Sequence, residues 1–188
     1  DGVTNSTRYG QLIADDLDLS VSFLTLGGTS LIWASDQLLR SDIRSGDIVV
    51  WGLTDFCRFP YYDIDNKMLR HVNSSAFKKD KKLKHKINID LLDDKNLYYQ
   101  NVLAIDRVIN FCEKINATLY MGGLLIDPAE IMYVPTHYNY IQFYGMWGLD
   151  PANIFCDFGT DNIHPGVVTH QKYAEKFLKL IKNRCHSS

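Results

Sequence analysis

The sequence predicts an α/β domain in which a parallel sheet carries helices on both sides. Three observations point there. Helix-spaced and strand-like runs alternate from end to end of the chain. The run Asp47-Ile48-Val49-Val50-Trp51-Gly52-Leu53 is nearly all apolar, as in a strand buried on both faces. The strand-like runs are followed by polar or glycine-rich loops, where sheets of this kind gather their active residues. With 188 residues, 46% of them hydrophobic and 22% charged, one globular domain is the expected organisation, and a disordered chain is excluded.

The elements follow in order. Arg8 to Asp18 carries Tyr9, Leu12, Ile13 and Leu17 at helical spacing. Val21 to Leu26 is a short β-prone run, ended by Gly27-Gly28. Leu31 to Arg44 reads as a helix, and residues 47–53 are the buried strand. Residues 97–116 form the clearest amphipathic helix, with Val102, Ile105, Val108, Ile109 and Cys112 on its apolar face. Thr118 to Met121 begins another strand, stopped by Gly122-Gly123, and Asn153 to Cys156 is a further one. A last helix runs from about Val167 to Lys182, with Tyr173, Phe177, Leu178 and Ile181 on one side. The loops Gly27-Gly28-Thr29-Ser30, Gly52-Leu53-Thr54-Asp55 and Asp157 to His164 are expected to converge on one edge of the sheet.

Residues 60–96 break the alternation as a polar insertion holding the basic run Lys78 to Lys86. That run reads either as an arm for a polyanion or as a solvated insertion. The acids at Asp63, Asp65, Asp90, Asp93 and Asp94 offset its charge and favour the second. Net charge is -2, so there is no overall pull toward nucleic acid or an anionic membrane, and no apolar run approaches the ~20 residues of a membrane-spanning helix. No signal peptide is visible, though a mature chain would have lost one, and the sequence names no compartment. Cys57, Cys112, Cys156 and Cys185 form no C-x-x-C pair, which argues against a zinc or redox site and for buried thiols. Sequons at Asn5, Asn73 and Asn116 matter only in a eukaryotic secretory route.

The sharpest chemical signal is Thr160-Asp161-Asn162-Ile163-His164-Pro165-Gly166, followed directly by the last helix. In a tight turn, Asp161 can hold one imidazole N–H of His164 and fix its tautomer, leaving the other ring nitrogen as a general base. The plainer reading is a helix-capping aspartate beside an exposed histidine. Pro165 sets the start of the helix.

These residues resemble the last signature block of the SGNH (GDSL-type) hydrolases, serine esterases and deacetylases on a flavodoxin-like three-layer α/β/α sandwich with a mostly parallel sheet. The stretch Phe23 to Ser30 is similar to the family's second block. The resemblance implies an oxyanion-hole N–H at Gly28, with Gly27 as the alternative. Val49 to Asp55 is similar to the third block, usually G-x-N-D, with Thr54 where the asparagine would stand. A threonine hydroxyl also donates one hydrogen bond, with shorter reach. Arg58, four residues on, reads equally as a source of positive charge for substrate or as a surface arginine.

The first block, G-D-S, which carries the nucleophile, is missing from this sequence, and no strand-like run precedes the first helix. In the family that strand is central, and without it two neighbours lose their pairing. The chain is therefore expected to start shortly after the nucleophile of a longer polypeptide, about 10–15 residues downstream of the start of that first strand. Ser6 and Ser30 are candidate substitutes, each read more readily as a helix cap or turn residue. His71, His85, His170 and His186 read as solvated. His137 lies in an aromatic loop with Tyr133, Tyr138, Tyr140, Tyr144 and Trp147, either a wall for a sugar or a small core of its own.

The implied function is hydrolysis of a small-molecule or polysaccharide ester, by preference removal of a carbohydrate O-acetyl group, with no metal or other cofactor. His164 and Asp161 serve an upstream serine, and Gly28 and Thr54 hold the oxyanion. The competing reading is a non-catalytic carbohydrate-binding or structural module on the same fold. A nucleotide fold is weaker, because Gly27-Gly28 lacks the G-x-G-x-x-G spacing and no Walker lysine follows.

Overall fold

A computed structural model describes residues 3–24, 29–54, 56, 58–63, 65–73, 94–123, 139–142, 157–160 and 165–185. The described elements are a short 3-10 turn at Asn5–Thr7, α1 (Tyr9–Asp16), α2 (Leu31–Arg40), β1 (Ile48–Leu53), β2 (Arg58–Asp63) and β3 (Met68–Asn73). They continue with α3 (Asp94–Ile115), β4 (Thr118–Gly123), β5 (Asn139–Gln142) and α4 (Val167–Cys185). The fold is mixed α/β, with a three-strand parallel sheet in the order β1-β4-β5 and a separate antiparallel hairpin, β2-β3. The chain divides into two compact units: Asp1–Phe23, Val49–Gly52 and Leu119–Ser188 in the first, Leu24–Ile48 and Leu53–Thr118 in the second.

In the first unit, α1 and α4 pack around Ile13, Tyr120, Tyr173, Phe177 and Ile181. The α4 positions 173, 174, 177 and 181 fall on one stripe, which is why a helix with so many lysines still buries a full face. Tyr9 joins this core, its ring 5.8 Å from Phe177 in a stacked arrangement and 6.1 Å from Tyr173 edge-on. β4 is buried at every position from Leu119 to Gly123. β1 alternates instead, with Val49 and Trp51 buried and Val50 and Gly52 half-buried, so only one of its faces is fully closed.

In the second unit, α2 lies against α3. Leu31 and Leu38 of α2 and Leu97, Ile105 and Val108 of α3 are buried. Asn116 ends α3 in the left-handed region (φ 58), where its short polar side chain is tolerated. Ala117 N–H then returns to the Cys112 carbonyl at 2.9 Å. Gly46 N–H bonds the Asn116 carbonyl and Thr118 N–H bonds the Asp47 carbonyl, each at 2.9 Å, so β1 and β4 start side by side.

Several expectations are corrected. The predicted helix at 31–44 ends at Arg40, because Ser41 turns extended and gives its hydroxyl to the Leu38 carbonyl at 2.6 Å. Arg44 N–H then bonds the Asp47 carboxylate and the chain turns. Val21–Leu24 makes no strand ladder among the described residues. Phe23 instead covers Gly10 of α1, where an added Cβ would lie 2.9 Å from the ring. Gly122-Gly123 does not stop β4, whose last two positions pair with Ile141 and Gln142. β5 itself falls in what the sequence presents as an aromatic loop, although Asn139-Tyr140-Ile141-Gln142 pairs in parallel with β4. Residues 153–156, the basic run 78–86, and His137 lie outside the described residues.

Candidate functional site

The described residues on either side of the D-x-x-H motif are joined to each other in the first unit. Gly166 N–H bonds the Asp157 carbonyl at 2.9 Å, and Phe158 and Pro165 form an isolated antiparallel bridge. The Asp157 carboxylate accepts from Val168 N–H at 3.0 Å, and from Thr169 N–H and Thr169 Oγ1, both at 2.7 Å. It thus acts as a cap for α4 supplied from across the loop, where donors without helical partners and the helix dipole both favour an anion. Burial pushes the Asp157 carboxyl up, but the bonds from Thr169 and Val168, together with nearby His170, outweigh it and hold it below its ordinary value. No larger residue fits at Gly166: a Cβ there would strike the Asp157 carboxylate and lie 2.7 Å from the Phe158 carbonyl oxygen.

One helical turn along, His170 Nδ1 accepts the Tyr9 N–H at 3.3 Å, and the two rings stack at 5.7 Å. An accepting Nδ1 means the neutral ring carries its proton on Nε2. Burial, and then the charge of Arg8, push His170 down against the opposing pull of Asp157. Burial also raises Tyr9, against the lowering effect of the Gly52 backbone and of the Arg8 charge. A chain of contacts therefore runs within this unit from the loop neck through α4 and α1 to the carboxyl end of β1.

The second unit holds Thr54 and Arg58. Thr54 is half-buried, one residue beyond β1, and Arg58 is half-buried at the start of β2. Between them Phe56 is buried, its ring stacked on Tyr98 at 5.3 Å. Asn101, fully buried on α3, donates through Nδ2 to the Phe56 carbonyl at 2.7 Å and to the Leu97 carbonyl at 2.9 Å. Among the described residues its Oδ1 has no hydrogen-bond partner. Leaving a buried acceptor unsatisfied costs about 1–3 kcal/mol, while each neutral hydrogen bond returns about 1 kcal/mol. Asn101 therefore adds little net stability; what it contributes is a fixed Phe56 carbonyl.

His71 of β3 accepts the Ser30 N–H at Nδ1, 3.4 Å away, and meets the Trp33 ring edge-on at 5.9 Å. Burial and then the Arg58 charge lower its pKa. His71 and His170 are thus half-buried hydrogen-bond acceptors and not solvated as their sequence contexts suggest; each is covered by an aromatic side chain from another element. Ser30 is buried and caps α2, its Oγ accepting from Trp33 N–H at 3.3 Å. Ser6 is exposed and bonds Thr4 Oγ1 at 2.8 Å. Neither is set up as a nucleophile.

Of the residues singled out by sequence, Gly28, Asp161 and His164 lie outside the described residues, as do Gly27, His85 and His186. Thr54 and Arg58 are described, both in the second unit. Sequence reasoning passed over Thr169 and Asn101, took Asp157 only as the start of a loop, and read His71 and His170 as solvated. One signal was available for Asp157 and Thr169: α4 opens on Gly-Val-Val-Thr with no acidic residue in its first turn, so its capping anion had to come from elsewhere. Cys112 is a buried free thiol, pushed up to about 11 by burial. Among the described residues no cluster of His, Cys, Asp or Glu could hold a metal ion, and no helix is long and apolar enough to cross a membrane. No protein-family model matches the chain, and neither a curated protein nor a solved structure matches it.

Proposed function

We propose that the chain belongs to a serine ester hydrolase of the SGNH type, a flavodoxin-like sandwich that removes an O-acetyl or other short acyl group from a carbohydrate. The nucleophile in this reading is a serine hydroxyl. His164 takes the serine proton as the hydroxyl attacks the ester carbonyl, then returns it to the leaving alcohol. In the second half the same nitrogen activates water, which releases the acid and regenerates the serine. Asp161 orients the ring and stabilises its cation. Gly28 N–H and the Thr54 hydroxyl hold the negative oxygen of the tetrahedral intermediate.

The observation that carries this reading is how the described residues on either side of Asp161-x-x-His164 are joined. Residues 157–160 and 165–169 are tied together by the Asp157 carboxylate, one backbone hydrogen bond and a β-bridge. That is the kind of rigid support a triad requires, because misplacement by about 1 Å costs on the order of 100-fold in rate. The test is hydrolysis of p-nitrophenyl acetate and of acetylated xylo-oligosaccharide by the protein. His164→Ala and Asp161→Ala are each expected to lose about 100-fold or more in kcat. Equal, slow hydrolysis by wild type and His164→Ala would instead identify a non-catalytic module.

A further inference from the structure

We propose that Arg58 and His71, on one face of the β2-β3 hairpin, form with Trp33 of α2 a binding site for the carboxylate of an acidic sugar. The choice of a sugar rests on the carbohydrate reading above. The anion is argued from the hairpin itself, within the second unit. Along β2, Arg58, Pro60 and Tyr62 point to one side, and Phe59, Tyr61 and Asp63 to the other. Across the ladder, His71 stands opposite Pro60 and shares the face of Arg58, while Arg70 stands opposite Tyr61 and shares the face of Asp63. On that second face the charges cancel. Asp63 is buried and accepts from Arg70 Nε at 3.0 Å and from Asn66 Nδ2 at 2.8 Å. On the first face they do not: among the described residues no carboxylate pairs with Arg58.

His71 adds a directed donor. Its Nδ1 accepts the Ser30 N–H at 3.4 Å, which puts the proton of the neutral ring on Nε2. That N–H has no hydrogen-bond partner among the described residues. The Arg58 charge acts on the ring, and no carboxylate among the described residues opposes it. Diagonal neighbours in a ladder lie about 7–8 Å apart, a gap that a long arginine side chain spans. A guanidinium and a ring N–H so placed can hold the two oxygens of one carboxylate through charge-assisted hydrogen bonds. Both groups are half-buried, which strengthens such bonds relative to open solvent. Trp33, also half-buried and edge-on to His71 at 5.9 Å, adds an apolar wall of the kind on which a pyranose ring stacks. A bare anion needs no such wall, and a neutral sugar needs no arginine.

The experiment measures binding without turnover. The protein is titrated with sodium D-glucuronate, D-glucose and inorganic phosphate at about pH 7, by calorimetry and by the indole N–H signal of Trp33 in 15N-labelled protein. Glucuronate is expected to bind at least about 10-fold more tightly than either control. Arg58→Gln is expected to weaken glucuronate about 10-fold or more, and His71→Phe, which keeps a ring and removes the donor, about 5-fold. If His71→Phe does not fold, Trp33→Leu is read instead, with glucuronate weakened about 5-fold and phosphate unchanged. Glucose bound as tightly as glucuronate, or glucuronate binding that survives Arg58→Gln, overturns the proposal. Phosphate bound as tightly as glucuronate marks a general anion site and overturns the sugar. Activity lost in His164→Ala without any glucuronate binding means that this inference alone has failed. Glucuronate binding by a protein no more active than His164→Ala supports the site while the esterase reading fails.

Discussion

Two segments of this protein are held by a single polar side chain each, by opposite means. The 157–166 loop is closed by a carboxylate that reaches 12 residues along the chain to the first turn of α4. The turn at Phe56 is closed by a neutral amide that reaches 45 residues, from inside α3. The first clamp is charged, half-buried and served by several donors. The second is uncharged and fully buried, and one of its own atoms has no partner among the described residues. The charged clamp therefore contributes stability and responds to pH. The neutral one contributes placement, less stability and no response to pH.

The largest expected effect is at Gly166. Gly166→Ala drives a methyl group into the Asp157 carboxylate, and overpacking of this kind costs about 3 kcal/mol. Urea unfolding measures it, and a loss below about 1 kcal/mol would show that the neck yields easily. Next is Asp157→Asn, expected to cost about 2 kcal/mol, as for loss of a strong helix cap. Its pH dependence is the sharper observable. Because Asp157 is held below its ordinary value of 3.8 in the folded chain, unfolding takes up a proton in acid. Stability from this group is complete above about pH 4 and drains away as the pH falls through the folded value. Asp157→Asn should flatten that acid limb, whereas Asn101→Leu should leave its shape as in wild type.

Asn101→Leu is expected to cost about 1 kcal/mol: it removes two hydrogen bonds and leaves the buried Phe56 carbonyl without its amide donor, which removal of the unpaired oxygen only partly offsets. A loss of 3 kcal/mol or more would erase the contrast between the clamps. The smallest effect concerns His170, whose pKa is lowered from 6.5. The unfolded chain then binds the extra proton first, so stability falls as the pH drops below about 6.5. Thermal midpoints of wild type and His170→Gln between pH 7 and 5 should diverge slightly. Parallel curves would mean that the Tyr9 contact does not depend on the neutral ring.

The helices were legible in the sequence because their signal is local. Ile105, Val108, Ile109 and Cys112 announce the buried face of α3 by spacing alone, and Tyr173, Phe177 and Ile181 do the same for α4. β1 and β4 were legible as short apolar runs. Strand pairing was not, because it depends on partners distant in sequence: Val21–Leu24 has β propensity and no ladder among the described residues, while Asn139–Gln142 has a ladder and sits among aromatic residues. In the candidate site the D-x-x-H-P motif could be read directly. Its support could not, since Asp157, Asn101 and the two covered histidines act through contacts that only the folded chain creates.

The absence of room at residue 166 also constrains what the sequence can become. A side chain can enter there only if the carboxylate at residue 157 withdraws and the Phe158 carbonyl shifts as well. Random substitution at 157 and 166 together, followed by selection for folded protein, should return glycine at 166 whatever stands at 157.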